Sequence, residues 1–237
     1  MKRFFTRLFG KSPTIPAGPV ATHQAIEPPG PEPMSQIFTA IYHENRWQND
    51  ESRSGPGSTI ARCVPVIEAL LGLIEEFSVR TLLDAPCGDF NWMKEVPLPK
   101  TRYIGVDVVA EMVEKNQRLY GGDRREFQQA DITVGPLPCV DMIFCRDALV
   151  HLCAADVFKA LAVFKRSGSR YLVATTFPAQ TSNMEIATGH WRPINLVQAP
   201  FDLPPPVRIV SDGCRHPGFT DKALGVWQLQ ELPMTDR

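Results

Sequence analysis

The chain has 237 residues, 43% of them hydrophobic, enough to bury the core of one ordinary domain with extensions. Its 25 Lys and Arg stand against 26 Asp and Glu, a formal charge of −1, which excludes the broad positive field of a non-specific nucleic-acid or anionic-membrane binder. No apolar run approaches the roughly 18 residues of a membrane span, and the six cysteines (Cys63, Cys87, Cys139, Cys145, Cys153, Cys214) form no C-x-x-C pair, which points to reduced thiols in a cytoplasmic protein.

In chain order, the first twelve residues, MKRFFTRLFGKS, alternate basic and aromatic side chains but lack the apolar stretch of a secretory signal. They read as a frayed terminus, with weak contact between residues 1–12 and a membrane surface as the alternative. Residues 13–33 hold seven of the 22 prolines and no apolar period, the composition of a disordered linker. The expected organisation is therefore a tail over 1–33 and one folded domain over 34–237. Ile37, Ile41 and Tyr42 predict a short helix over 34–47. SRSGPGS at 52–58 is a loop; with Trp47 and Ser54 it reads as part of a helical lid. Ser58 or Thr59 caps a second helix to about Phe77.

Beyond Phe77 the pattern changes to short apolar runs. Strands are predicted at 80–85, 102–107, 126–130, 140–145, 170–176, 207–211 and 223–230, and helices at 109–120 and 154–166, with a turn of helix at 90–95. The fold class that follows is α/β: a Rossmann-like, doubly wound, mostly parallel sheet of seven strands. The last two strands have no helix between them and form an antiparallel hairpin.

Open α/β sheets bind ligands outside the carboxyl ends of their strands. Asp84, Asp107 and Asp131 each close or follow a strand, and Gly88 precedes Asp107 by 19 residues, near the ~20 between a phosphate-type turn and a ribose-binding acid. The turn APCGDF has one glycine, and Pro86 removes an amide, so it is a poor cradle for pyrophosphate. It suits a ligand with a ribose, an adenine and a cationic end, such as S-adenosylmethionine. A lone acid at a strand end also serves as a helix cap or turn former, and each of the three keeps that reading by itself.

The order LLDAPCGDF, YIGVDVV, ADIT and VDMIFCRDALVHL resembles a class I S-adenosylmethionine-dependent methyltransferase over residues 58–230. IYHENRWQNDESRSGPGS and GHWRPINL add similarity to a bacterial subgroup. Pro86 and Phe90 stand where the family's turn has its first and third glycines, and Gly88 matches the middle one. The resemblance implies that Asp84 and Gly88 hold the methionine end, Asp107 the ribose diol, Asp131 and Ile132 the adenine, and that Arg146 and Asp147 lie beside the methyl group. A hydroxyl or amine acceptor also needs a base. Asp147 and His151, four apart at a helix start, are the first candidates, and His190 is the third. Asp147 as a cap and His151 as a structural histidine remain open.

The long pattern-free segment 177–206 reads as the acceptor wall, with Trp191, Arg192 and Asn195 binding substrate; a packed cover over the sheet is the other reading. No metal site is expected. The expected function is methyl transfer to a small-molecule or glycan-like acceptor, with oxygen the target and no nucleic-acid partner. A nicotinamide-dependent dehydrogenase and a non-catalytic nucleoside-binding module are the alternatives.

Overall fold

Period-two burial along the strands sets the architecture. Leu82, Met142, Phe144, Val173, Leu224 and Val226 point to one face of the sheet and pack with Val66, Leu70 and Leu73. Their neighbours Leu83, Ile143, Cys145, Leu172 and Ala174 point to the other and pack with Val157, Leu161 and Phe164. Strands apolar on both faces demand cover on both, as in α/β sheets. A computed structural model describes residues 33–233. Apart from Pro33, the expected tail, with its surface-contact reading, lies outside the described residues.

Helix α1 is Met34–Glu44 and α2 is Ile60–Glu76. The strands are β1 Thr81–Asp84, β2 Arg102–Asp107, β3 Arg125–Gln129, β4 Met142–Cys145, β5 Tyr171–Thr176, β6 Arg208–Ser211 and β7 Ala223–Gln228. Helix α3 is Ala110–Tyr120 and α4 is Ala154–Arg166. The sheet order is β3-β2-β1-β4-β5-β7-β6. β1 pairs in parallel with both β2 and β4, so the order reverses there, where such sheets bind ligands. β7 runs antiparallel between β5 and β6.

Two expectations shift at the element ends. α1 stops at Glu44 because Asn45 turns left-handed, so Trp47 lies past the helix, not on it. At the start of α2 Thr59 occupies the cap position but its hydroxyl donates to the Pro56 carbonyl; the Ile60 N–H is taken instead by Glu51 Oε1 at 2.7 Å. No helix among the described residues is long and apolar enough to cross a membrane.

Candidate active site

The carboxyl ends of β1, β2 and β4 open into a cavity of about 540 Å³. Asp84 ends β1, faces that cavity, and accepts a 2.7 Å hydrogen bond from the Tyr103 hydroxyl. Burial pushes its carboxyl up to about 7, against the lowering effect of the Tyr103 bond. The chain then turns back through Gly88, whose φ of +57° is the left-handed region that glycine enters without strain. A Cβ there would sit 2.3 Å from Ser54 Oγ, so the turn and the 52–58 loop close against each other only over a bare backbone.

Asp107 meets this turn from the next strand. Its Oδ2 accepts from the Gly88 N–H at 3.1 Å and its Oδ1 from the Val109 N–H at 3.0 Å. Burial raises this carboxyl to about 6, while those two amides hold it from rising further. Asp131 also lines the cavity; its Oδ1 accepts both the N–H and the hydroxyl of Thr133. Ile132, Val108 and Met112 supply an apolar wall beside it. Phe90, by contrast, turns inward and packs on Tyr103, Tyr120 and Phe127.

Asp89, which the sequence did not single out, joins the N-terminal loop to this turn. It accepts from Ser52 Oγ, the Arg53 N–H and Ser54 Oγ at 3.0, 2.7 and 3.2 Å, and its own N–H donates to Ser54 Oγ at 2.9 Å. Glu51 adds a second link, accepting from Asn91 Nδ2 as well as Ile60 N. Four residues from α1 and the turn after it (Met34, Phe38, Tyr42, Trp47) and Arg53 then line the cavity. The position of Asp89 next to Gly88 was the available signal; its serine partners lie 35 to 37 residues away.

A paired charge network closes the other side. Arg146 donates through Nε to Asp212 Oδ2 at 2.9 Å and through Nη1 to the Gly57 carbonyl at 3.2 Å. Asp147, at φ +54°, takes Lys222 Nζ at 2.7 Å and lies 3.3 Å from Arg146 Nη1. Burial alone would raise Asp147, but Arg146 and Lys222 outweigh it and hold the carboxyl well below the usual carboxylate range. A carboxylate so stabilised is a weak base. Asp147 does not begin a helix with His151, as the sequence suggests; it precedes a single tight turn at Leu149–His151.

His151 sits on that turn and lines the cavity. Its Nδ1 lies 2.8 Å from the His190 carbonyl oxygen, so Nδ1 carries the proton and Nε2 keeps a lone pair. Burial lowers its pKa below the ordinary histidine value; Lys222 and Arg192 lower it further, and the His190 carbonyl and Asp147 oppose them. The segment Thr188–Arg192 holds this turn from behind. Gly189 N–H donates to the His151 carbonyl, Arg192 N–H to the Val150 carbonyl, Arg192 Nη1 to the Leu152 carbonyl, and Thr188 Oγ1 accepts from Cys153 N–H. At Gly189, φ +97°, a Cβ would come 2.9 Å from Ile37 of α1, so the helix rests directly on this segment.

The residues expected in the acceptor wall separate. Trp191 lines the cavity, 44% exposed, with its ring 5.0 Å from Phe219. The His190 side chain is exposed and contributes its carbonyl rather than its ring. Arg192 is buried behind the wall, and its Nε and Nη2 have no hydrogen-bond partner among the described residues. Asn195 is also buried and braces the segment through the Pro178 and Gln180 carbonyls. No group of three His, Cys, Asp or Glu among the described residues could hold a metal ion.

Residues 83–169 match a family model described as a methyltransferase domain. No curated protein matches the chain. Among solved structures, the N-methyltransferase NodS from Bradyrhizobium japonicum WM9, in complex with S-adenosyl-L-homocysteine, is 16% identical with a TM-score of 0.57, over 79% of this chain and 97% of that one. The 1,6-didemethyltoxoflavin-N1-methyltransferase of Burkholderia thailandensis is 17% identical with a TM-score of 0.57, over 82% and 86%. Magnesium protoporphyrin IX methyltransferase from Synechocystis PCC 6803, with bound S-adenosylhomocysteine, is 12% identical with a TM-score of 0.54, over 81% and 96%. The chain thus has the fold of S-adenosylmethionine-dependent methyltransferases, and its residues 83–169 are similar to a methyltransferase domain.

Proposed function

We propose that this chain transfers the methyl group of S-adenosylmethionine to a hydroxyl oxygen of a small molecule, with His151 as the general base. The donor set fits the cofactor. Asp84 would take the ammonium, Asp107 has a free lone pair on each oxygen for the ribose diol, and Asp131 keeps Oδ2 for the adenine amine. Ile132 and Met112 would flank the adenine, and Arg53 would meet the carboxylate. Arg146, expected beside the methyl group, acts through its bonds to Gly57 and Asp212, shaping the floor. When bound, the cofactor supplies a methyl carbon on a positively charged sulfur, to which an acceptor oxygen bonds as the C–S bond breaks and the sulfur keeps the electron pair.

The observation that carries the choice of base is the commitment of His151 Nδ1 to a carbonyl, which leaves Nε2 as the proton acceptor. Asp147 is held as a stable anion by two cations, and the His190 ring is not part of the cavity lining. A cytoplasmic setting accords with six free thiols. The match of residues 83–169 to a methyltransferase domain weighs against the dehydrogenase alternative.

The test uses methyl-labelled S-adenosylmethionine and a small-molecule cell extract. Label should enter a product as an O-methyl group, and His151→Asn should lower the rate by about a hundredfold or more while leaving S-adenosylhomocysteine affinity within about threefold. Equal turnover by folded H151N removes the base assignment. Product carrying only N-methyl groups removes the choice of oxygen.

A further inference from the structure

Two separate groups of rings line the cavity that also holds Asp84, Asp107 and Asp131. One comprises Phe38, Trp47 and His151: Phe38 lies 6.5 Å from Trp47, and Trp47 lies 5.0 Å from His151 at an interplanar angle of 33°. The other comprises Phe177, Trp191, Phe219 and His216, with centroid separations of 5.0 to 6.2 Å. The first group comes from the N-terminal helix, the turn after it and the tight turn Leu149–His151 that follows β4. The second comes from the segments that follow β5 and β6. Among the described residues no ring pair joins the two groups, although both line one cavity.

The polar inventory beside these rings is short. Asp147 and Asp212 are consumed by Arg146 and Lys222. His216 Nδ1 is spent on the Pro217 carbonyl. What remains is the Nε2 atoms of His151 and His216, the indole N–H groups of Trp47 and Trp191, the Tyr42 hydroxyl, Cys214 and the Arg62 guanidinium, which lines the cavity with no ion pair among the described residues. A sugar carries a hydroxyl on nearly every carbon, more than these scattered donors and acceptors among seven rings can pair, and unpaired buried hydroxyls cost affinity. A flat ring needs apolar faces and aromatic edges, which are present on two sides. A cationic acceptor would meet Arg62 and no free carboxylate; an anionic one would be attracted.

We propose that the acceptor is a planar aromatic hydroxy compound bearing an anionic group, its ring held between the Trp47 and Trp191 groups and its anion met by Arg62. This rests on the O-methyltransferase reading and narrows it. Trp191 is the one tryptophan of the four that is left largely open, which is unusual for so large an apolar side chain unless something covers it.

Calorimetry on the full chain saturated with S-adenosylhomocysteine tests this with three probes: 4-hydroxybenzoate, 4-hydroxybenzyl alcohol and methyl β-D-glucopyranoside. We expect 4-hydroxybenzoate to bind, the uncharged alcohol to bind at least about threefold more weakly, and the glucoside to show no measurable binding. Trp191→Ala should weaken both phenols by about tenfold. Arg62→Gln should abolish the preference for the acid. A glucoside that binds as tightly as either phenol overturns the proposal. So does a protein that binds S-adenosylhomocysteine but neither phenol. Should W191A lose the nucleoside as well, the comparison of probes on the unaltered chain decides. Failure of S-adenosylhomocysteine to bind that chain would strike the cofactor reading instead.

Discussion

Asp84 and Asp107 are buried acids that take up protons at a higher pH than free carboxylates do, at about 7 and about 6. Raised in the fold from 3.8, each contributes stability that is complete below about pH 4 and lost as pH rises through those values. A cationic ammonium beside Asp84 reverses the preference, because it stabilises the anion. Binding of S-adenosylhomocysteine near pH 6 should therefore release protons, and affinity should rise toward about pH 8. Calorimetry in two buffers of different ionisation enthalpy reads the release; buffer-independent heat would refute it. Arg192 poses the opposite case, a buried cation with two unpartnered nitrogens behind the His151 turn. Arg192→Gln should raise the His151 midpoint and mix its ring tautomers, since it removes both a lowering charge and the bond to Leu152. Asp147 and Lys222, which also face that ring, would remain. Nitrogen-15 NMR of the imidazole measures this, with nucleoside affinity as the check on folding; an unchanged tautomer would show that Arg192 only packs. The three strand-end acids could be read from the sequence because a carboxylate closing an apolar run has a fixed place in a parallel sheet. Arg192 and Asn195 could not be placed, since a segment without period gives polarity but no direction to its side chains.

Among the elements, the loop between α1 and α2 is the least apparent in sequence and the most consequential for the cavity. SRSGPGS announces a turn, but what makes it a wall is Asp89, which holds three donors from Ser52, Arg53 and Ser54. Asp89→Asn weakens these charge-assisted bonds at a half-buried position, a loss of about 1–2 kcal/mol. The change should appear as faster amide exchange over residues 52–58 and weaker S-adenosylhomocysteine binding. Protection equal to that of the unaltered chain would show that the loop is held by its own packing. The strands themselves were legible because each apolar run is short and flanked by turn residues. The start of α2 was legible only to within the choice of cap: propensity favours Thr59, whereas Glu51 arrives from nine residues upstream to take the Ile60 amide.

Across the whole molecule, the Arg146–Asp212–Asp147–Lys222 network ties the end of β4 to the end of β6, to the residue before β7 and, through Gly57, to the N-terminal loop. Each charge is compensated, so removing one leaves a buried partner exposed to its full desolvation cost. Asp212→Ala should lower stability by about 3–5 kcal/mol, read as a fall in the thermal midpoint. A shift within error would mean that water replaces the carboxylate. The network could not be read from the chain, because its four members are spread over 77 positions with no motif to join them. Helix α1 has a comparable reach. Ile37 rests on the bare backbone of Gly189, behind the histidine, while the adjacent Phe38 forms part of the roof. On the proposed reading, tilting that one helix would unseat the imidazole's backing and open the roof over the nucleoside together, so that product exit and proton uptake would answer to a single lever.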